Sequence, residues 1–434
     1  MRKSPCALLV SLCVSHAPIA GSGGEPSPLA RPSDPVVLKG APLAAMNGIP
    51  IANLALYRMD GGRAVPIPFQ VDERDAGGTM ALTGSDGKPV NPDDGQWDGN
   101  DELVFMARDC GGKATRGDLP GECGAVAGIA CADPLTGATG WVYLASFPSA
   151  VRFAGGRYVR YDRKKDYVTA DCYEIGYTPG EMKSYFSTLI FKDGNNGPSA
   201  NVLDRFKFRL RLNLFFSMIT VRRTEDDMRS ALVGYKDGPI RAIRRCRNTM
   251  NIVFHIPSPA SVTDSYYYRD SIEWPTLISL PFTVGTVASE GILTSGCDWN
   301  EASAGMRYHN ALNLSPVLVD GVMSKEERGL NKGYYAWSAI SGPQGAMISR
   351  LWLSPSLVMG KELLYIDDKY ARDPPESGAG HWGYNGYLFN ITAVSRGTHT
   401  FISYFYFPEN FAPGGEKPYL DILDHPLAVT AAAL

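Results

Sequence analysis

Residues 205–216 read RFKFRLRLNLFF, and within them Phe206, Phe208, Leu210, Leu212 and Leu214 alternate with Lys207, Arg209, Arg211 and Asn213. Successive side chains of an extended strand point to opposite faces, so this period of two collects the apolar groups on one side and the basic groups on the other. A strand of this length belongs to a large sheet, and its apolar face needs a second sheet opposite it.

The rest of the chain follows the same pattern. Short apolar runs such as PVVLKG, IPIANLALYRM and AVPIPFQVDE are separated by Gly, Pro, Asn and Asp, and the DGG at 60–62 reads as a hairpin turn. Two further long strands are expected in GPIRAIRRCRNTMNIVFHIP and THTFISYFYFP. Helical signals are few. Ser324 and Glu327 make a capping box for one short helix in VDGVMSKEERGLNKGYYAW, and DWNEASAGMRYHNAL could hold another. The 31 prolines and 11% aromatic residues agree with loops and strands. No internal repeat is visible, which disfavours propellers and solenoids. The composition turns polar and charged in FAGGRYVRYDRKKDYV. The expected fold is therefore all-β, with two antiparallel β-sandwich domains over residues 36–160 and 161–434, the second large, and few short helices.

The first residues, MRKSPCALLVSLCVSHAPIAGSGG, place a basic start before a short apolar run and then small side chains. This is the layout of a secretory signal peptide, assigned to residues 1–22, and a Gly/Pro/Ser linker is expected over 23–35. The expected location is outside the cytoplasm: periplasm, cell surface or extracellular space. No apolar run reaches the length of a membrane helix. Six cysteines follow the signal, Cys110, Cys123, Cys131, Cys172, Cys246 and Cys297, with no C-x-x-C pair among them. In an oxidising compartment an even set of this kind predicts disulfides, the most local pairing Cys110 with Cys123 or Cys131.

A formal net charge of −3 excludes bulk attraction to nucleic acid. Local basic clusters, Arg222 with Arg223 and Arg241 with Arg244, Arg245 and Arg247, read as solvated strand faces. No G-x-S-x-G elbow, P-loop, dinucleotide fingerprint, H-x-H or H-E-x-x-H stands in a supporting context, and His255, inside NIVFHIP, reads as a core residue.

Two acidic stretches are conspicuous. In NPDDGQWDGNDELVFMA, the side chains of Asp93, Asp98, Asn100 and Glu102 offer closely spaced oxygen ligands, an arrangement that suits calcium, although the Gly and distal Glu of an EF-hand loop are missing. The alternative is an Asx-rich turn satisfying its own amides. Upstream, PFQVDERD ends a strand with Gln70, Asp72, Glu73 and Asp75. The pair PIPFQVDE and DGNDELVFMA resembles the N-terminal β-module of exported, mostly uncharacterised bacterial proteins, some found with polysaccharide-degrading systems. DGPIRAIRR is similar to the strand that opens the supersandwich-type domain of those chains. The resemblance implies a large C-terminal sandwich.

Three segments could meet a sugar. SYYYRDSIEWP carries Tyr267 and Arg269, DWNEASAGMRYHN carries His309, and GHWGYNGY carries His381, Trp382, Tyr384 and Asn385. Tyr267, Arg269, His309 and His381 are the candidate catalytic groups. Trp382, Tyr384 and Asn385 are the candidate ligand platform. The expectation is a binding protein for polysaccharide or a surface partner; the rivals are a polysaccharide lyase or glycoside hydrolase, and an envelope structural or assembly protein.

Overall fold

The computed structural model describes residues 27–152, 156–177, 185–193, 197–253, 256–371 and 382–434. The signal peptide at 1–22, His255 and His381 lie outside the described residues. The fold is all-β, built from antiparallel sheets.

Two sheets form the N-terminal layer pair. One carries Pro35–Lys39, Glu102–Met106 and Gln70–Asp72, and the other carries Arg63–Pro66, Leu54–Asp60, Thr139–Ser146, Val126–Ala132 and Ala428–Ala433. Leu38, Leu56, Trp97, Leu103, Phe105 and Ile129 fill the space between them. The chain's last strand thus returns to pair with Val126–Ala132, with Val429 opposite Cys131. Glu102–Met106 is buried along its whole length. Leu103 and Phe105 face the N-terminal core, while Val104 and Met106 face Ile240 and Tyr268 of the second half. A strand covered on both sides has no polar face to show, which is why ELVFM reads as an unbroken apolar run.

The second half is dominated by two facing sheets. The larger runs, in spatial order, Asn313–Leu318, Arg307–Asn310, Trp337–Gly342, Gly345–Leu353, Gly397–Tyr406, Ser271–Leu280, Ser261–Tyr267, Ala242–Val253 and Met228–Asp237, and Leu82–Thr83 and Pro89–Val90 extend its edge. The opposing sheet runs Ile219–Arg223, Leu203–Leu214, Ala288–Trp299, Gly383–Asn390 and Gly360–Ile366. A small sheet from Val159–Asp162 to Gly197–Pro198 closes one end.

Helices are short. Lys325–Arg328 begins with the expected capping box: the Ser324 N–H donates to Glu327 Oε2 at 2.6 Å, and the Glu327 N–H donates to Ser324 Oγ at 3.2 Å. The segment DWNEASAGM supplies a single 3-10 turn, Glu301–Ser303, capped by Asn300. The helix Lys417–Asp424 was not anticipated, although Pro418 near its start and the apolar Leu420 carry the signal.

Gln70, Asp72 and Glu102 make the joint between the halves. Arg241, just before Ala242–Val253, donates from Nε to Asp72 at 2.7 Å, from Nη2 to Glu102 at 2.6 Å and from Nη1 to the Tyr268 hydroxyl at 3.1 Å. Gln70 Oε1 accepts the N–H groups of Ile240 and Arg241, and its amide donates to Asp72 at 2.7 Å. Lys236 adds a second cation to Asp72 at 2.8 Å. A Cβ on Gly238 would meet the Gln70 side chain at 1.9 Å, so the close approach requires glycine there. The motif residues of PFQVDE, DELVF and DGPIR therefore build one buried ionic joint.

Three expectations change. Residues 27–34, read as part of an uncovered linker, are packed: Leu29, Arg31 and Asp34 are buried, and Arg31 binds Asp34 and Asp133 as well as the Asp421 and His425 carbonyls. The arginine cluster is not a solvated face, since Arg241 and Arg244 are buried and Arg244 grips Asp166 with two nitrogens at 2.8 and 2.7 Å. The disulfide framework is also not formed. Cys110, Cys123, Cys131, Cys172, Cys246 and Cys297 are all buried thiols.

Cys110 and Cys131 are in contact. Its hydrogen bond with Cys131, then burial, pushes the Cys110 thiol well above its ordinary range. Space for this contact comes from Gly140, paired with Cys131, where a Cβ would lie 2.6 Å from Cys110. Treating the folded protein with diamide is expected to remove one pair of titratable thiols, and Cys110→Ser should abolish that loss. An unchanged thiol count after oxidation would show that the sulfurs cannot reach bonding geometry.

Candidate functional site

The alternating strand Leu203–Leu214 turns its apolar face inward, but the sheet opposite does not close on it. Between the two facing sheets lies an open cleft of about 1380 Å³. Each wall is made by alternate residues: Phe208, Leu210 and Leu212 from one sheet, Ile278, Leu351 and Phe401 from the other. Inward groups in strands are normally covered, yet Leu210, Leu212 and Ile278 remain partly exposed because only the cleft lies before them.

One end of the cleft is aromatic. Phe206 packs 5.3 Å from Trp274, and Tyr185 stacks on Phe206 and Phe208 at 5.5 and 5.7 Å. Tyr335 and Tyr387 stack at 4.5 Å on the adjoining wall, and the Tyr335 hydroxyl donates to the Gly386 carbonyl at 2.6 Å. Gly296 and Gly386 face each other across two strands; a Cβ on Gly386 would lie 2.1 Å from the Ser295 carbonyl oxygen, so the wall is thin at this point by necessity. The opposite end is bordered by Leu214, Phe215, Phe282, Val284 and Val287.

Polar groups in the cleft are sparse and mostly engaged. Asn248 donates to Thr263 at 3.2 Å, Asn385 accepts the Trp299 indole N–H, and Arg350 is turned to Asp424. Among the described residues lining the cleft there is no carboxylate, histidine or lysine. The chemistry available is that of a binding cavity.

Of the candidate catalytic residues, Tyr267, Arg269 and His309 lie within the described residues, and each is engaged in the fold. Tyr267 is buried, its hydroxyl against that of Tyr177, and burial raises its pKa. Arg269 is spent on Asp270, Asp171 and Glu409 at 3.0, 3.4 and 2.7 Å. His309 is buried with Nε2 2.6 Å from Glu416. Burial opposes ionisation of Glu416, but the His309 hydrogen bond and backbone N–H donors hold its pKa below the usual range. Four strands of the large sheet separate the strand of His309 from that of Tyr267, about 24 Å at strand spacing. Neither Tyr267 nor His309 lines the cleft.

The proposed sugar platform is also redistributed. Tyr384 is buried under Lys207, whose Nζ lies 5.4 Å from the ring centre. Trp382 is half-buried beside Lys369. Asn385 alone of the three lines the cleft. Lys207, placed by periodicity on the basic face, is fully buried in an ion pair with Asp298.

In the acidic turn, Asp98 accepts the Asn100 N–H at 2.8 Å, and Asp101 accepts the N–H groups of Arg74 and Asp98. Burial, partly offset by those hydrogen bonds, pushes Asp101 up to about 6. Glu102 is occupied by Arg74 and Arg241, each at 2.6 Å. Asp93 leaves one buried oxygen without a hydrogen-bond partner. Among the described residues no group of three His, Cys, Asp or Glu side chains is placed to hold a metal. The turn is held by hydrogen bonds to its own amides and by arginines, and Asn100 Oδ1, like Asp93 Oδ2, has no hydrogen-bond partner.

Asp270, beneath Arg269, provides a pH signature. Burial, moderated by Arg269 and by a hydrogen bond from Ser33, raises its pKa to about 6. The folded protein thus favours its protonated form, and the stability gained is complete below the ordinary carboxylate value of about 3.9 and lost as pH rises through about 6. Asp270→Asn removes this loss. The melting temperature of the variant relative to the parent is expected to climb between pH 4 and pH 7; parallel profiles would refute the shift.

Sequence reasoning missed the cleft as a site. Its signal was the alternation itself, read as a covered strand face, with nothing local to show that two such faces stay apart.

No family model matches the chain, and no curated protein matches it. Among solved structures it is similar to an alpha-mannosidase from Enterococcus faecalis V583, with a TM-score of 0.46 and 9% identity over 92% of this chain and 44% of that one. A glycosyl hydrolase family 38 protein from Enterococcus faecalis gives 0.44 and 9% over 92% and 45%, and HI1317 gives 0.31 and 7% over 59% and 98%. The chain spans less than half the length of the two Enterococcus proteins, and likenesses at this level assign no activity.

Proposed function

We propose that this is an exported binding protein whose ligand lies in the cleft between the two large sheets, and that the ligand presents a long apolar portion to it. One observation carries the reading: an open space of about 1380 Å³ walled by Leu, Ile, Phe and Met side chains. That volume exceeds the roughly 300–1,000 Å³ of ordinary small-ligand pockets. Export rests on the basic and apolar start of the sequence. A polysaccharide could be held only at the aromatic end, where Tyr185, Trp274 and Tyr387 gather, and the aliphatic remainder offers a sugar few hydrogen-bond partners.

The test is titration of the mature protein with a fluorescent C16 fatty acid, with an oligosaccharide panel in parallel. Saturable fatty-acid binding, weakened by a bulky substitution inside the cleft, is the expected result. Retention of oligosaccharides with no fatty-acid binding would overturn it.

A further inference from the structure

Four loops converge at the aliphatic end of the cleft: residues 215–220, 281–289, 354–359 and 391–397. Their contacts are explicit. Ser217 and Ser289 hydroxyls lie 2.9 Å apart, the Val284 N–H donates to the Val394 carbonyl at 2.9 Å, and the Arg396 N–H donates to the Thr283 hydroxyl at 3.1 Å. Leu357 and Met359 pack on Leu214 and Val284 beneath them.

The composition of this end is unusual for a protein surface. The four loops hold no Asp or Glu, and their one charge is Arg396, which is exposed. Large apolar side chains point outward: Phe216 is 95% exposed, Met218 79% and Val358 64%, with Phe282 and Val287 beside the cleft mouth. Phe215, Phe216 and Ser217 all have left-handed backbones, with φ of 50°, 57° and 69°. Residues with a Cβ disfavour this conformation, so the turn that projects Phe216 is held against its own preference. Contiguous exposed apolar surface around a cavity mouth marks an interaction site.

The charges nearby favour one partner. Arg211 and Arg222 face each other on paired strands about 10 Å below the tip. The nearest carboxylate, Glu290, is bound by Arg211 and Asn213 at 3.1 and 2.7 Å. Glu225 and the acidic residues after it lie about 20 Å down the strand, at the level of Phe208. An apolar tip with hydroxyl groups and an arginine collar complements a lipid surface with anionic headgroups.

We propose that this rim docks on an anionic lipid bilayer, with Phe216, Met218 and Val358 entering the headgroup region, and that the cleft behind it receives the acyl chain of a membrane amphiphile. The inference rests on the cleft binding apolar chains, and it adds the source of the ligand and the surface through which it enters.

The test is flotation of the mature protein with vesicles of equal parts phosphatidylglycerol and phosphatidylcholine, against phosphatidylcholine alone. The expected result is flotation with the anionic vesicles that falls about tenfold in Met218→Asp/Val358→Asp, two positions outside the cleft wall. Soluble fatty-acid binding by that variant should stay within about twofold of the parent, which shows that it is folded. Fatty-acid binding without flotation would overturn the docking proposal and leave the cleft reading intact. Flotation without fatty-acid binding would support docking and overturn the cleft reading. A dimer in sedimentation that the same substitutions dissociate, with no flotation, would assign the rim to a second copy of the chain and overturn the proposal.

Discussion

Arg241→Ala is expected to lower stability by about 3–5 kcal/mol, the largest loss of any single substitution in the joint between the two halves. The reason is what the substitution leaves behind. Asp72 has no exposed side-chain surface and Glu102 is nearly as buried, so removing the guanidinium leaves each buried carboxylate with a single remaining cation, Lys236 for Asp72 and Arg74 for Glu102. Burial works against ionisation of Asp72, yet Arg241 and Lys236 together hold its pKa below the usual carboxylate range. Its stabilising contribution is therefore present above the unfolded value and lost as pH falls through the folded one. With Arg241 gone, burial prevails, and the variant should weaken most at neutral pH and recover part of the difference in acid.

The companion variants separate the ion pair from simple packing. Asp72→Asn with Arg241→Met exchanges the charged pair for neutral groups of similar size and should cost much less than Arg241→Ala, since buried ion pairs often do little better than well-packed neutral replacements. Arg241→Lys keeps the charge but cannot reach Asp72, Glu102 and the Tyr268 hydroxyl together, and should fall between them. Thermal or urea unfolding measures all of these. An Arg241→Ala loss below about 1 kcal/mol would mean that the joint is hydrated or that the halves unfold independently of it.

This joint also shows what the sequence could and could not disclose. Gln70, Asp72, Glu102, Gly238 and Arg241 were visible as punctuation around strands, but the contact that gives them meaning spans about 170 positions, and nothing local predicts it. Periodicity performed well where one strand and one face were concerned. It marked Leu203–Leu214 and placed its apolar side chains correctly. It failed for Lys207, which sits on the polar face yet is buried with Asp298, because a strand pattern records which way a side chain points and not what covers it. The same limit concealed the site. Alternation in Leu203–Leu214, Ser271–Leu280 and Gly397–Tyr406 announces two apolar faces, whereas their separation is a property of the assembled sheets that no single strand carries. The motif-based candidates raise a different difficulty. Tyr267, Arg269 and His309 have catalytic chemistry, but such side chains are equally suited to structural hydrogen bonds and ion pairs inside a large β-protein, and that is how they are used.

Ser403→Trp is expected to move stability and binding in opposite directions. Ser403 lies on Gly397–Tyr406, between Phe401 and Phe405, with its side chain in the cleft. An indole there would cover apolar wall that is now open, and partial burial of so large a ring is worth about 1–2 kcal/mol. A substitution into a closed core would instead overpack it and destabilise by a similar amount. A rise in melting temperature thus reports an unfilled cleft, independently of any ligand. Fatty-acid affinity should meanwhile fall by about tenfold or more, because the ring occupies volume that the chain requires. A cavity kept open at the expense of stability is the usual mark of a binding site, where filling stabilises the fold and removes the function. If Ser403→Trp destabilises the protein without altering fatty-acid binding, the two sheets close in solution and the ligand site lies elsewhere. If it stabilises and binding is lost, the alternation of Leu203–Leu214 describes the wall of a binding chamber.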